Sequence, residues 1–384
     1  MTAKRRILSV VGTRPNFVKI APFAEELQRH RSSVEHRLVH TGQHYDKHMA
    51  EIFFEALGIP RPDVNLGVGS GSHAQQVGRT MIEFEKVLHE WPPDLVVVVG
   101  DVNATCACSI TAKKEGIALA HVEAGLRSFD MRMPEEINRL VTDRLSDVLF
   151  TTDDIASDNL RKEGRDEDAI AHVGNIMIDT LVKHRRKAEQ IALQDIAEGS
   201  LLPGSSVPTV LADGGEYAVL TMHRPSNVDD RETLARFVAV LTEELCASIP
   251  IVWPLHPRTE KALRQWGLLR ELLSCGSVLL LQPVGYLQML CLNTKCRLML
   301  TDSGGLQEEA CVLGTPCITI RENTERPITL EENGGTNVLV GSDIGQLRKA
   351  FHRKLHEVRK PCNVELWDGH AAPRIAHRIV QYLQ

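Results

Sequence analysis

Acidic, basic and imidazole side chains of this chain recur just past short apolar runs. Asp101 follows the run 95–99 and one glycine, Glu123 closes the run 117–122, and Glu135 follows Pro134 at the head of an amphipathic stretch. Carboxylates brought from separate segments into one pocket push each other's pKa values apart, so that one site holds both a proton donor and an acceptor. That is the requirement of general acid–base catalysis. A plainer reading stands beside it: Asp101 also suits a cap on the helix behind it. Three carboxylates also suit a divalent cation. Arg14, Lys19 and Arg127 supply positive charge instead, and the expectation is a site without metal.

The basic groups point to an anionic ligand. Gly12-Thr13-Arg14-Pro15-Asn16 follows the first apolar run and leads into a helix containing Lys19. A helix N-terminus attracts anions, and an arginine fork grips phosphate. The turn has neither the G-x-G-x-x-G pattern of dinucleotide binders nor a P-loop, so no nicotinamide cofactor is expected. Thr41-Gly42-Gln43-His44 is a further polar cluster at a strand end. In the second half the same placement recurs in His223-Arg224-Pro225-Ser226-Asn227, in His256-Pro257-Arg258 and in Asp302-Ser303-Gly304-Gly305-Leu306-Gln307-Glu308-Glu309, with Arg321 and Arg326 beyond the next run. Ser-Gly-Gly lets a helix begin with bare amides turned outward, an anion seat, and Glu309 lies nearly two turns along, suited to a pair of ribose hydroxyls.

Such residues need a scaffold that ends many strands at one edge. Apolar runs at 7–11, 35–40, 95–99, 117–122 and 148–150, then at 218–222, 251–255, 278–281, 298–300, 317–320 and 337–340, are separated by helical stretches. Leu95-Val96-Val97-Val98-Val99 does not alternate, which marks a strand buried on both faces of a parallel sheet. Phe17, Ile20, Ala21, Ala24 and Leu27 fall at helical spacing, with Pro22 expected to kink or shorten that helix. In the stretch 136–145, Ile137, Val141 and Leu145 mark one face and Glu136, Leu140 and Arg144 the other. The alternation lapses only near 175–215, rich in charge, Pro and Gly, where a domain junction is expected. The fold class is α/β, two Rossmann-like doubly wound domains, with ligands at the carboxyl ends of the strands.

Composition agrees with two domains. The chain has 384 residues, 43% hydrophobic and 24% charged, and a formal net charge of -6, which gives no field for nucleic acid. Its nine cysteines form no C-x-x-C pair and read as reduced core residues, which favours a reducing compartment. No run of eighteen apolar residues and no signal-peptide pattern is present, so a soluble, cytoplasmic protein without membrane contact is expected.

The motifs Gly12-Thr-Arg-Pro-Asn16, Thr41-Gly-Gln-His44, Gly100-Asp101, His121-Val-Glu-Ala-Gly-Leu-Arg127, Pro134-Glu-Glu-Ile-Asn-Arg139, His223-Arg224, Asp302-Ser-Gly-Gly-Leu-Gln-Glu-Glu309 and Thr324-Glu-Arg-Pro327 together resemble the non-hydrolysing UDP-N-acetylglucosamine 2-epimerases, in that family's order and over most of the chain. Gly335-Thr-Asn337 and Leu366-Trp-Asp-Gly369 fit too. The resemblance implies the GT-B fold, two Rossmann-like domains facing a cleft, here 1–178 with 368–384 and 179–367. It implies inversion at C2 of UDP-GlcNAc through bound 2-acetamidoglucal, with no cofactor and no metal. By the same resemblance Asp101, Glu123, Glu135 and His223 are the acid–base and charge-stabilising groups, completed by Arg14 and Lys19, and Ser303, Gly304, Glu309 and Arg326 hold UDP. Gln43, His44, Arg139, His256, Met289 and Gly305 are further expected contacts to UDP and sugar. The partners expected are a UDP-sugar substrate and a second copy of the chain in a homodimer, in polysaccharide biosynthesis. Three departures stand out: Met289 where the family places an aromatic ring near uracil, the segment Gly67-Val-Gly-Ser-Gly-Ser-His73 in place of a glutamine-rich one linked to allosteric activation, and a short connection from Arg127 to Pro134. Spacing does not decide which carboxylate takes the proton. Epimerisation of another UDP-2-acetamido sugar, hydrolysis to free ManNAc, a non-catalytic UDP-sugar-binding role and a GT-B glycosyltransferase remain the alternatives.

Overall fold

A computed structural model describes residues 4–42, 58, 59 and 61–384, in two compact units, Met1–Lys183 with Val364–Gln384, and His184–Asn363. The division was expected at 178/179 and 367/368. It falls later on the outward path because the helix Ile176–Glu189 crosses it and its first turns are tied to the first unit. Asp179 in that helix accepts from the amides of Ala371 and Ala372 at 3.0 and 2.7 Å, capping the C-terminal helix Ala371–Tyr382.

The first unit is built on β1 (Arg5–Val11), β2 (Val34–His40), β3 (Val64–Asn65), β4 (Leu95–Val99), β5 (Ala118–Ala124), β6 (Val148–Thr151) and β7 (Ile170–His172), all parallel, in the order β3-β2-β1-β4-β5-β6-β7. All five residues of β4 are buried, the physical consequence of helices on both faces. The order reverses between β1 and β4, so the connections leaving these two strands diverge and open a crevice at their carboxyl ends. The edge strands β3 and β7 were absent from the sequence reading; at two and three residues they carry too little apolar pattern to register.

Helix α1 (Arg14–Arg29) follows β1 and runs unbroken through Pro22, so the expected shortening does not occur. Proline removes the donor that the carbonyl four residues earlier requires. Here the Val18 carbonyl accepts instead from the Thr180 hydroxyl at 2.6 Å. Among the described residues, helices α2 (His73–Glu90), α3 (Asn103–Lys114), α4 (Pro134–Leu145), α5 (Asp154–Lys162), the first turns of α6 (Ile176–Glu189) and the C-terminal helix also belong to this unit.

The second unit repeats the plan with β8 (Ala218–Thr221), β9 (Ile251–Pro254), β10 (Val278–Leu281), β11 (Leu298–Thr301), β12 (Cys317–Thr319) and β13 (Asn337–Leu339), parallel in the order β10-β9-β8-β11-β12-β13. The reversal lies between β8 and β11. Trp253, Leu280, Leu300, Phe237 and Phe351 are buried in its core. Helices α7 (Pro257–Gln265), α8 (Tyr286–Lys295) and α9 (Gly304–Leu313) follow β9, β10 and β11.

Gly335 shows how tightly the second unit's edge is packed: a Cβ there would lie 1.8 Å from the Thr329 carbonyl oxygen. Backbone cannot yield as a flexible side chain does. Gly335→Ala is expected to lower unfolding free energy by about 3 kcal/mol, the upper end for overpacking, measured by urea denaturation. A loss within about 0.5 kcal/mol would show that the 326–335 turn moves freely.

Candidate active site

The residues flagged by sequence cluster at the two strand-order reversals. In the first unit the turn after β1 is organised by Asn16, whose side-chain oxygen accepts from the Gly12 and Thr13 amides at 3.2 and 3.1 Å, while its Nδ2 donates to the Val99 carbonyl at 2.9 Å. The β1 turn is thus locked to the end of β4. One turn along α1, buried Lys19 pairs with buried Glu123 at the end of β5. Glu123 has φ +76, a left-handed backbone that costs an ordinary side chain about 1–2 kcal/mol. The register shifts between Val122 and Ala124, a bulge that turns the carboxylate toward Lys19. Gly100, at φ +68, lies against the same pair: a Cβ there would come within 3.2 Å of Asn16 Nδ2 and 3.3 Å of both Glu123 Oε2 and Lys19 Nζ.

Asp101 is held by α4. Arg139 Nη1 donates to its carboxylate at 3.2 Å and Asn138 Nδ2 to its backbone carbonyl at 2.9 Å, leaving the side chain 27% exposed. The two acids therefore face different cations, Lys19 for Glu123 and, for Asp101, Arg139, which also pairs with Glu136 at 3.1 Å. Glu135 stands half-buried at the start of α4. Its neighbour Glu136 accepts from the Ser128 amide and hydroxyl at 2.9 and 3.0 Å and from the Phe129 amide at 3.0 Å, besides pairing with Arg139.

The buried face of α4 is polar. It runs through Glu136, Arg139, Thr142 and Asp143, while Ile137 is 46% exposed. Polar groups occupy this inner face because they hold the loops and acids above them. His121 and Asp143 were missed in the sequence. His121 is fully buried on β5, with Nδ1 at 2.6 Å from Asp143 and Nε2 at 2.9 Å from the Gly100 carbonyl. Burial opposes ionisation of Asp143, but His121, Arg127 and the Gly125 amide outweigh it and hold the carboxyl below its usual range. Arg127, taken from sequence as a source of positive charge for the site, is spent on Asp143 at 2.7 Å and on Glu163 at 2.7 Å.

In the second unit Asp302, at the end of β11, is the hub. It accepts from the backbone amides of His223 and Arg224, from Asn227 Nδ2 and from His223 Nδ1 at 2.8 Å. Burial raises its pKa, but these donors prevail and hold it below the ordinary carboxylate range. Nδ1–H of His223 is thereby fixed on Asp302, and Nε2 is the nitrogen left for a ligand, the orientation an acid–base histidine needs. The His223 and His256 rings lie 5.4 Å apart; exposed His256 also caps α7, accepting from the Arg258 amide.

Helix α9 opens at Gly304 after extended Ser303, whose side chain forms no capping bond. Its first amides include those of Gly304 and Gly305, positive by the helix dipole. Arg326 sits over this turn: a Cβ on Gly304 would lie 2.4 Å from Arg326 Nη1. Glu308 and Glu325 pair with Arg326, and Arg321 pairs with Glu325 at 2.6 Å, so the arginine is aimed by a buried, charge-balanced cluster. Met289 is half-buried on α8.

Glu309 is buried in α9, and burial, with Glu308 beside it, raises its pKa to about 7 against the opposing pull of Asn293 and Tyr286. A raised acid lends stability that is complete below its unfolded value near 4.5 and is lost as pH rises through about 7. At about 1.4 kcal/mol per pH unit the loss is about 3 kcal/mol. Glu309→Gln is expected to flatten stability between about pH 5 and 8, read by urea denaturation across that range; an unchanged slope would place the effect on another group.

Of the other residues singled out, Arg14 is the first residue of α1, with its side chain outside the described residues, and Gln43 and His44 lie outside them altogether. No group of three or more potential metal ligands is found among the described residues.

The comparisons with known proteins converge. The UDP-N-acetylglucosamine 2-epimerase family model matches residues 25–380. A UDP-N-acetylglucosamine 2-epimerase of Methanocaldococcus jannaschii is 42% identical over 374 residues, 97% of this chain and 98% of the relative. A UDP-2,3-diacetamido-2,3-dideoxy-D-glucuronate 2-epimerase of Pseudomonas aeruginosa is 38% identical over 98% of this chain and 99% of its own. The crystal structure of Methanocaldococcus jannaschii UDP-GlcNAc 2-epimerase in complex with UDP-GlcNAc and UDP superposes with a TM-score of 0.87 at 40% identity, over 98% of this chain and 99% of that one.

Proposed function

Because the chain belongs to the UDP-N-acetylglucosamine 2-epimerase family, we propose that it interconverts UDP-GlcNAc and UDP-ManNAc by elimination and re-addition of UDP. The observation that carries this is the pairing of Asp101 and Glu123 with separate cations at one strand-order reversal, while the other presents the α9 N-terminus with Arg326. The first set suits a sugar proton, the second a diphosphate.

In the forward direction the C2–H proton passes to a protein carboxylate, the C1–O bond to UDP breaks with its electron pair leaving on the phosphate, and C1=C2 forms. A second protein acid, in exchange with solvent, then delivers a proton to C2 from the opposite face as UDP re-adds at C1. A C2 hydrogen beside no carbonyl is a poor acid, so departure of UDP must build positive charge on the ring as the proton moves. Fixed carboxylates stabilise that charge, and Arg326 with the α9 amides stabilises the departing diphosphate. His223, Arg14, Lys19 and Glu135 complete the acid–base set; Ser303, Gly305, Glu309, Met289, His256, Arg139, Gln43 and His44 contact nucleotide or sugar.

The experiment is incubation with UDP-GlcNAc in heavy water, followed by NMR. UDP-ManNAc at equilibrium with deuterium at C2 is expected. Free ManNAc with UDP would replace this reading by hydrolysis, and UDP binding without deuterium uptake by a binding role. The Pseudomonas aeruginosa relative favours a second reading, an acetamido sugar other than GlcNAc, tested by offering UDP-2,3-diacetamido-2,3-dideoxyglucuronate beside UDP-GlcNAc.

A homodimer belongs to the same proposal, supported by exposed Phe129, Met131 and Ile137 on and beside α4 and checked by light scattering. So do service in polysaccharide biosynthesis and a cytoplasmic setting, the latter supported by nine free cysteines and by the absence, among the described residues, of any helix long and apolar enough to cross a membrane.

A further inference from the structure

Asp143 serves two strands with its two oxygens. Oδ1 lies 2.6 Å from Nδ1 of His121, whose Nε2 lies 2.9 Å from the Gly100 carbonyl. Oδ2 accepts from the Gly125 amide at 3.0 Å and from Arg127 Nη1 at 2.7 Å. Gly100 immediately precedes Asp101, and Gly125 lies two residues past Glu123. A carbonyl oxygen has no hydrogen to give, so Nε2 is a donor. The Arg127 guanidinium and the Gly125 amide on Oδ2 help hold the Asp143 carboxyl below its usual range, so Oδ1 is a carboxylate acceptor and Nδ1 is a donor too. With both nitrogens protonated the ring is an imidazolium. Its surroundings balance the charge, since Arg127 joins Asp143 to Glu163.

The Gly100 peptide needs such a hold. It has φ +68 and no side chain, and its amide is fixed to the Val122 carbonyl at 3.1 Å. The His121 ring fixes the carbonyl end of the same residue, so the two bonds together set the direction in which the chain enters Asp101.

We propose that His121 and Asp143 form a buried positioning pair, an imidazolium clamping the Gly100 carbonyl to set Asp101 while the same carboxylate clamps Gly125 to set Glu123. This deepens the function proposed above and rests on Asp101 and Glu123 acting on the sugar.

Two substitutions separate clamping from packing. Glutamine at 121 places an amide N–H near the position of Nε2, and asparagine places one near Nδ1. His121→Gln keeps a donor for the Gly100 carbonyl, and His121→Asn reaches only Asp143. With UDP-GlcNAc, His121→Asn is expected to lose about 100-fold in kcat, the scale of an ångström's misplacement, with KM and UDP affinity within about threefold of the starting protein. His121→Gln is expected to recover to within about tenfold. Equal kcat losses in both variants, each folded by circular dichroism, would overturn the proposal, as would a loss confined to KM. Nitrogen-15 NMR of histidine-labelled, unsubstituted protein at pH 7.5 decides the matter even where a variant fails to fold: both His121 nitrogens protonated supports the pair, and a neutral ring defeats it. Failure of the unsubstituted protein to epimerise UDP-GlcNAc would instead defeat the functional reading, leaving the NMR result standing.

Discussion

Glu123→Gln and Asp101→Asn are each expected to cut turnover by about 100-fold or more, within the range for a positioned acid or base, with the fold retained. The amides keep the shape and an acceptor oxygen, so Arg139 still finds a partner at position 101. They remove the charge that receives a proton and stabilises the ring cation. The two variants differ in a second respect. Lys19 and Glu123 are both buried, and glutamine leaves the ammonium uncompensated, a cost of about 3 kcal/mol. Asp101 is partly open to water, and its loss is expected to leave stability within about 1 kcal/mol, since such a pair contributes little. Deuterium uptake at C2 and urea denaturation, measured side by side, separate the two effects. Near-normal uptake in both variants would make these acids structural.

Gly304→Ala is expected to raise the UDP dissociation constant about 100-fold, equivalent to about 2.7 kcal/mol. The added methyl would lie 2.4 Å from Arg326 Nη1 and 2.7 Å from Glu325 Oε1. The arginine end must move away from the α9 N-terminus, and Glu308, Glu325 and Arg321 move with it. The turn then loses the cation that complements its amides. Calorimetric titration with UDP reads the effect, with kcat at saturating substrate expected to fall much less. Unchanged UDP affinity in a folded variant would mean that Arg326 does not serve the diphosphate.

Apart from the short edge strands β3 and β7, the strands of both sheets were legible because burial on two faces leaves uninterrupted apolar runs, as in β4. The site motifs were legible because a polar residue directly after such a run has few places to go other than the sheet's carboxyl edge. In helix α4 the spacing marked two faces without showing which turns inward, and Glu136, Arg139 and Asp143 do so. His121 lies within a strand, where imidazole passes for an ordinary core side chain until its two acceptors are placed in space. Glu135 and Glu136 are adjacent and identical in type, so only geometry shows that Glu136 is the one that anchors the 128–129 loop. The uninterrupted course of α1 depends on a hydroxyl far away in the chain, which no local pattern reports.

That hydroxyl makes Pro22 and Thr180 one unit of inheritance. A lineage that lost the Thr180 hydroxyl while keeping Pro22 would strand the Val18 carbonyl inside the protein, one residue before Lys19. If Pro22 were first exchanged for a residue carrying an amide hydrogen, the helix would satisfy that carbonyl itself, and position 180 would be released to drift. The order in which the two changes arrive therefore decides whether the path between them is open.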